Sequence, residues 1–98
     1  MMERKTNAIV INPSDSVAVA TEKLTAGDTA YYVVNGEIQE IKIVTEVPIY
    51  HKFARKDINK GEEVYKYGQS IGKAIRDIHV GEHVHTQNLV SIREGIQH

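Results

Sequence analysis

Apolar and polar residues alternate in short bursts along this chain, with no long uniform run. AIVI, Ala8 to Ile11, reads as a first strand that ends at the Asn12-Pro13 turn. In SDSVAVATEKL, Val17, Ala20 and Leu24 fall at helical spacing after Ser14 or Asp15 as a cap, with Gly27 beyond the end. That pattern predicts one short amphipathic helix. TAYYVV-NG-EIQEIKIV predicts a hairpin, because Asn35-Gly36 suits the positive backbone angles of a two-residue turn. Ile38, Ile41 and Ile43 do not share one alternation, so a bulge or a twist near Gln39-Glu40 is expected. After Pro48 the segments are short and punctuated by Gly61, Gly68, Gly72 and Gly81, which argues for β structure with tight turns.

An internal repeat supports this reading. KDINKGEEV, from Lys56, and RDIHVGEHV, from Arg76, align at an offset of 20, matching Asp57 with Asp77, Ile58 with Ile78, Gly61 with Gly81 and Val64 with Val84. EKLTAGDTA, from Glu22, is a weaker third copy. Each copy reads as a corner: an apolar anchor, a turn, a glycine in a conformation closed to most residues, an acidic residue, then a strand. The predicted fold class is therefore mostly β with a short helix, in one domain over residues 1–98.

The 98 residues carry 12 basic and 13 acidic side chains, for a net charge of -1. No global attraction to nucleic acid or anionic membrane follows from that balance. Without cysteine the chain has no disulfide, thiolate metal site or thiol nucleophile. No apolar run approaches the roughly 20 residues of a transmembrane helix, so a cytoplasmic location is the default expectation.

The candidate chemistry lies in histidine. HVGEHVHTQN, residues 79 to 88, holds three of the five histidines. Strand alternation puts His83 and His85 on one face, where they could share a metal or flank a substrate. The ordinary alternative is two surface histidines on a polar sheet face. The direction of His79, before the Gly81 corner, cannot be read from strand parity. His51-Lys52 pairs a group that titrates near neutrality with one that neutralises an anion, and Lys66-Tyr67-Gly68 could present an amine and a phenol. Glu62, Glu63 and Glu82 follow turn glycines and are expected to face water. No phosphate-binding loop, nucleophile elbow or HExxH helix is present.

DSVAVATEKLTAGD, PIYHKFARKDINKGEEVYKYGQSIG and KAIRDIHVGEHVHTQN together resemble the SAF-type domain that forms the N-terminal part, or small subunit, of altronate and galactarate dehydratases. HKFA, KYGxxIG and GEHVH, in that order, carry the resemblance. It implies a β-clip fold and a role beside a much larger catalytic subunit, with no activity in this chain alone. The implied reaction removes water from a sugar acid. Iron or manganese in the complex would act as Lewis acid, and none is expected in the isolated chain. The implied site residues are His51, His83 and His85 for catalysis and Lys52, Lys66 and Asn88 for the substrate.

Related small subunits serve sulfo-lyases acting on sulfolactate, and the motifs do not separate the two substrates. A free-standing module that binds carbohydrate or peptide is a third reading, and a homo-oligomer stays open. Two positions depart from the family pattern. Tyr50 stands where glycine is usual and is expected to crowd a backbone approach. Gln87 stands where a further histidine is usual, and it cannot exchange protons near neutral pH.

Overall fold

The computed structural model describes residues 6–91. Among them every regular element is a strand. β1 (Ala8–Ile9), β2 (Val17–Ala20), β5 (Lys52–Ala54) and β8 (His83–Val84) form a four-stranded antiparallel sheet in the order β1-β2-β5-β8. β3 (Thr29–Val34) and β4 (Glu37–Lys42) form one hairpin. β6 (Glu63–Lys66), β7 (Gln69–Ala74) and β9 (Leu89–Ser91) make a three-stranded sheet. This is the mostly-β, SAF-like architecture, without the predicted helix.

The predicted helix is instead β2. Val17 pairs with Ala54 and Ala18 with Phe53, and Val17, Ala18 and Ala20 are all buried. A strand enclosed on both faces loses its polar alternation, so its apolar positions can mimic helical spacing. The β-branched Val17 and Val19 favour the extended form. Nor is Asp15 free to cap a helix. Its carboxylate accepts the N–H groups of Tyr67 and Gly68, both at 2.8 Å, and it is itself buried. The Asp15 side chain thus fastens the β1–β2 loop to the β6–β7 turn.

The Asn35-Gly36 turn forms as predicted, with φ of 52° and 80°. The expected bulge near Gln39-Glu40 is absent: β3 and β4 pair continuously from Thr29↔Lys42 to Val34↔Glu37. The isoleucines needed no bulge because they occupy different environments. Ile38 is exposed, whereas Ile43 lies beyond the strand and is buried in the core. The register shift occurs between Val64 and Tyr65 in the β6–β7 pair.

The four-stranded sheet separates two apolar clusters. Ala18, Ala20 and Phe53 face one cluster with Tyr32 and Ile43, and Val17, Ala54 and Val84 face the other with Val64 and Ala74. Each cluster is closed by one hairpin, β3–β4 or β6–β7. Fully burying a side chain such as Phe53 contributes about 1.5–3 kcal/mol, so these two layers hold β5 and β8, the strands on or beside which His51, His83 and His85 lie.

The repeated corners are also real. Gly27, Gly61 and Gly81 have φ of 96°, 91° and 90°. In each, the acidic residue after glycine reaches back to the N–H three positions earlier: Asp28 to Thr25 at 2.8 Å, Glu62 to Asn59 and Glu82 to His79 at 2.6 Å. The second and third corners clasp each other through the Ile58↔Ile78 bridge. Asp57 accepts the N–H of Val80 and Asp77 that of Lys60. Glu62 is exposed as expected and Glu82 half-buried, and each also locks its turn.

Candidate functional site

His51 follows the Pro48–Tyr50 turn, and its backbone is tied to β2: the Ala20 N–H donates to the His51 carbonyl at 2.9 Å and the Tyr50 N–H to the Ala20 carbonyl at 2.7 Å. β5 pairs with β8 through Lys52↔Val84 and Phe53↔His83. Carried one residue further, that register sets His51 across from His85, and strand alternation gives His51 and His83 a common face. The three rings meet there. Their centroids are 5.1 Å apart for His51 and His83, 4.7 Å for His51 and His85, and 5.5 Å for His83 and His85. His51 Nδ1 and His83 Nε2 are 2.9 Å apart.

The turn after β8 fixes the two C-terminal members. Asn88 is buried, donates through Nδ2 to the His83 carbonyl at 2.8 Å and accepts the His85 N–H at 3.0 Å. Its amide is thus engaged behind the cluster, holding His83 and His85 at their spacing. Gln87 Nε2 donates to the His83 carbonyl at 3.2 Å and lies 3.5 Å from His83 Nδ1. Gln87 steadies the ring without offering it a proton at neutral pH. Thr45 contributes from a distant loop, its Oγ1 accepting the His83 N–H at 2.9 Å. No sequence signal marks Thr45, because only folding brings it to β8.

Lys52 and Lys66 share a pocket of about 280 Å³ with His85 and Thr86, backed by Ile71 and Leu89. The structure thus brings together His51, His83, His85, Lys52 and Lys66. His79 lies elsewhere, with Nδ1 3.9 Å from Asp57 in an exposed pair. Glu63 accepts the Tyr65 hydroxyl at 3.1 Å. The sequence reading missed Thr86, Ile71 and Leu89, which carry no signature of their own.

Tyr50 departs from expectation in an instructive way. Its side chain is 72 % exposed, so it crowds nothing, but its φ is 69°. The cost is in the backbone, about 1–2 kcal/mol for a left-handed non-glycine residue. Tyr50→Gly should therefore stabilise the chain by about 0.5–1 kcal/mol, the relief being reduced by glycine's greater freedom when unfolded. A lower melting temperature for this variant would show that the tyrosine ring makes a stabilising contact after all.

Burial first, then the positive charge that His51, His85 and Lys52 would add, lowers the His83 pKa below 6.5. Burial, His51 and Lys52 lower that of His85. Burial and Lys66 lower that of Lys52. Neutral imidazole is thereby favoured. For the metal-free chain the sign follows: the unfolded histidines take up protons near pH 6.5, the folded ones only at lower pH. Stability should be level above about pH 6.5, fall as pH drops below it, and level off once the folded pKa values are passed. Denaturant titrations across pH 4–8 measure this, and replacing His83 and His85 together with Gln should flatten the decline.

The three histidines each offer a nitrogen within 4.8 Å of the others. Metal–imidazole bonds of about 2.0–2.1 Å put adjacent ligand nitrogens about 3–3.4 Å apart. The 2.9 Å between His51 Nδ1 and His83 Nε2 is close to that separation, and the lowered pKa values of His83 and His85 favour the neutral, ligating form of those two rings. The donor set fits a divalent ion of the imidazole-binding kind.

Residues 6–92 match the altronate/galactarate dehydratase SAF domain. The chain is 42 % identical over 80 residues to an altronate dehydratase of Escherichia coli, covering 82 % of this chain and 15 % of that protein. An altronate dehydratase of Bacillus subtilis is 31 % identical over 90 residues, 91 % of this chain and 17 % of that protein. A (2R)-sulfolactate sulfo-lyase subunit alpha of Chromohalobacter salexigens is 32 % identical over 88 residues, 87 % of this chain and 94 % of that subunit. The chain thus spans a small part of the dehydratases and nearly the whole of a lyase subunit. By the match over residues 6–92, which takes in both strands of the histidine cluster, the chain belongs to the altronate/galactarate dehydratase SAF domain family.

Proposed function

We propose that this chain is the small SAF subunit of a two-component sugar-acid dehydratase, completing the active site of a separate, larger catalytic subunit. The observation that supports this reading best is the convergence of His51, His83 and His85 beside Lys52 and Lys66. Water loss from a hydroxy acid needs a base for the proton next to the carboxylate, a proton for the departing β-hydroxyl and positive charge against the carboxylate. His85, which borders the pocket, is placed to carry the proton as a neutral imidazole. Lys52 and Lys66 oppose the negative charge that builds up on the carboxylate as the proton leaves. His51 and His83 would hold iron or manganese, with remaining ligands from the larger subunit. Bound there, the ion would supply Lewis-acid stabilisation of the negative charge that develops as the proton leaves.

The test is co-expression with the larger subunit, followed by co-purification and assay on altronate and galactarate. The complex should form water-loss product at a rate at least a hundredfold above either component alone. If the two proteins do not associate, the subunit reading fails. A second reading, a sulfolactate sulfo-lyase subunit, is favoured by one observation: the sulfo-lyase subunit alpha is matched over 94 % of its length. The same complex offered sulfolactate would then release sulfite and leave the sugar acids intact.

A further inference from the structure

The contact between His51 and His83 holds one hydrogen whose place the neighbours decide. His51 Nδ1 and His83 Nε2 are 2.9 Å apart, so when both rings are neutral one of these nitrogens carries hydrogen and the other offers its lone pair. Two arrangements satisfy that bond. In one, His83 Nε2–H donates to His51 Nδ1. In the other, His51 Nδ1–H donates and His83 carries its own hydrogen on Nδ1. The choice is set by the group that faces the far nitrogen, His83 Nδ1.

That group is Gln87. Its Nε2 lies 3.5 Å from His83 Nδ1 and 3.2 Å from the His83 carbonyl oxygen. A carbonyl only accepts, so it takes the NH2 end of the amide and leaves the second N–H for the ring. An N–H in that position is attracted by a lone pair on Nδ1 and repelled by a hydrogen there. His83 is thereby held with its hydrogen on Nε2, and donation runs from Gln87 to His83 to His51. The His83 carbonyl also accepts Asn88 Nδ2 at 2.8 Å, and the His83 N–H donates to Thr45 Oγ1 at 2.9 Å. The backbone of His83 is therefore satisfied without Gln87, whose specific effect falls on the ring.

A divalent ion held between His51 and His83 would need both facing lone pairs. The hydrogen of His83 then belongs on Nδ1, where a ligating histidine ordinarily donates to an acceptor. The Gln87 NH2 stands against it. Turning the amide over brings Oε1 to Nδ1 and takes the donor away from the carbonyl. Gln87 is exposed, so solvent gives it room to turn.

We infer that Gln87 is a positioning residue: its NH2 holds His83 as the Nε2–H tautomer and so directs the His83–His51 hydrogen bond, and its amide must turn over before His83 can ligate through Nε2. The second part rests on the reading of His51 and His83 as ion donors, and the first does not. Glutamine at this position weakens ion binding relative to a side chain that only accepts.

The test is nitrogen–proton correlation spectroscopy of the imidazole rings in the EDTA-treated full chain at about pH 8.5, about two units above the ordinary histidine pKa, so that the rings are neutral. His83 and His51 should both carry hydrogen on Nε2, with Nδ1 bare. Gln87→Glu, whose carboxylate only accepts, should invert His83 to Nδ1–H, and His51 should follow through the shared bond. A glutamine with a merely structural role would leave both tautomers unchanged in this variant. Zinc alone should bind Gln87→Glu at least about tenfold more tightly than the parent, and in the zinc-saturated parent the His83 hydrogen should be on Nδ1. Hydrogen on His83 Nδ1 in the zinc-free parent would overturn the inference without any variant, as would unchanged tautomers or equal zinc affinity in Gln87→Glu. No arm involves a larger subunit or a substrate, so this inference and the co-purification test fail separately.

Discussion

Replacing His83 with alanine should lower the rate of the proposed dehydratase complex by at least about a hundredfold, because it removes a metal donor and Lewis-acid stabilisation is worth several kcal/mol. His83 stands at the centre of the cluster, 2.9 Å from His51 and stacked on His85. Its removal takes one metal donor and the ring that aligns the other two. Metal content of the purified complex should fall in parallel. His85→Ala should behave differently, because its proposed task is proton transfer at the pocket: activity is lost while metal stays. A His83→Ala complex with full metal and full rate would remove the cluster from the active site. The folded chain should tolerate the change, since His83 already carries a lowered pKa and is not part of either apolar cluster.

Gly81→Ala is the substitution expected to harm the fold most. Its φ of 90° is strained for alanine, and an added Cβ would run into the carbonyl oxygen of Lys42. That carbonyl belongs to the end of β4 and cannot move freely, because the following residues bind the same corner: the Val44 N–H donates to the Gly81 carbonyl at 2.9 Å. On the other side the Gly81 N–H donates to the Ala54 carbonyl at 2.9 Å. The corner therefore has no direction in which to yield. We expect a loss of about 3 kcal/mol or more, from strain and overpacking together. Gly61→Ala is the matched control. Its φ is 91°, but a Cβ there meets nothing within 4 Å, so only the backbone cost of about 1–2 kcal/mol applies. Urea unfolding of the two variants would decide the point, and equal losses would show that the Lys42 contact is unimportant. Because His83 follows Gly81 by two residues, the first variant should also disturb the cluster.

The two substitutions mark where sequence and structure divide the information. The corners were legible because an apolar anchor followed three residues later by glycine and an acidic residue recurs in each, and local turn chemistry needs no distant partner. The Asn35-Gly36 turn was legible for the same reason. The helix over Val17 to Leu24 was misread because β2 is central, and burial on both faces erases the alternation that marks a strand. Of the bulge or twist expected at Gln39-Glu40, the bulge does not form, because Ile38 on the hairpin is in water and Ile43, just beyond it, is in the core.

By itself, the sequence determined a β-rich chain with repeated corners, a hairpin turn, and histidines and lysines suited to an anionic substrate, because these depend on residue type and short-range spacing. Tertiary structure alone decided that His51 joins His83 and His85, since the β5–β8 register links positions 32 residues apart. It likewise decided that Asn88 and Thr45 brace the cluster from behind, that Tyr50 bears backbone strain and not a clash, and that Lys52 meets Lys66 over an apolar wall. Long-range pairing and burial are properties of the folded ensemble of contacts, and no local pattern encodes them.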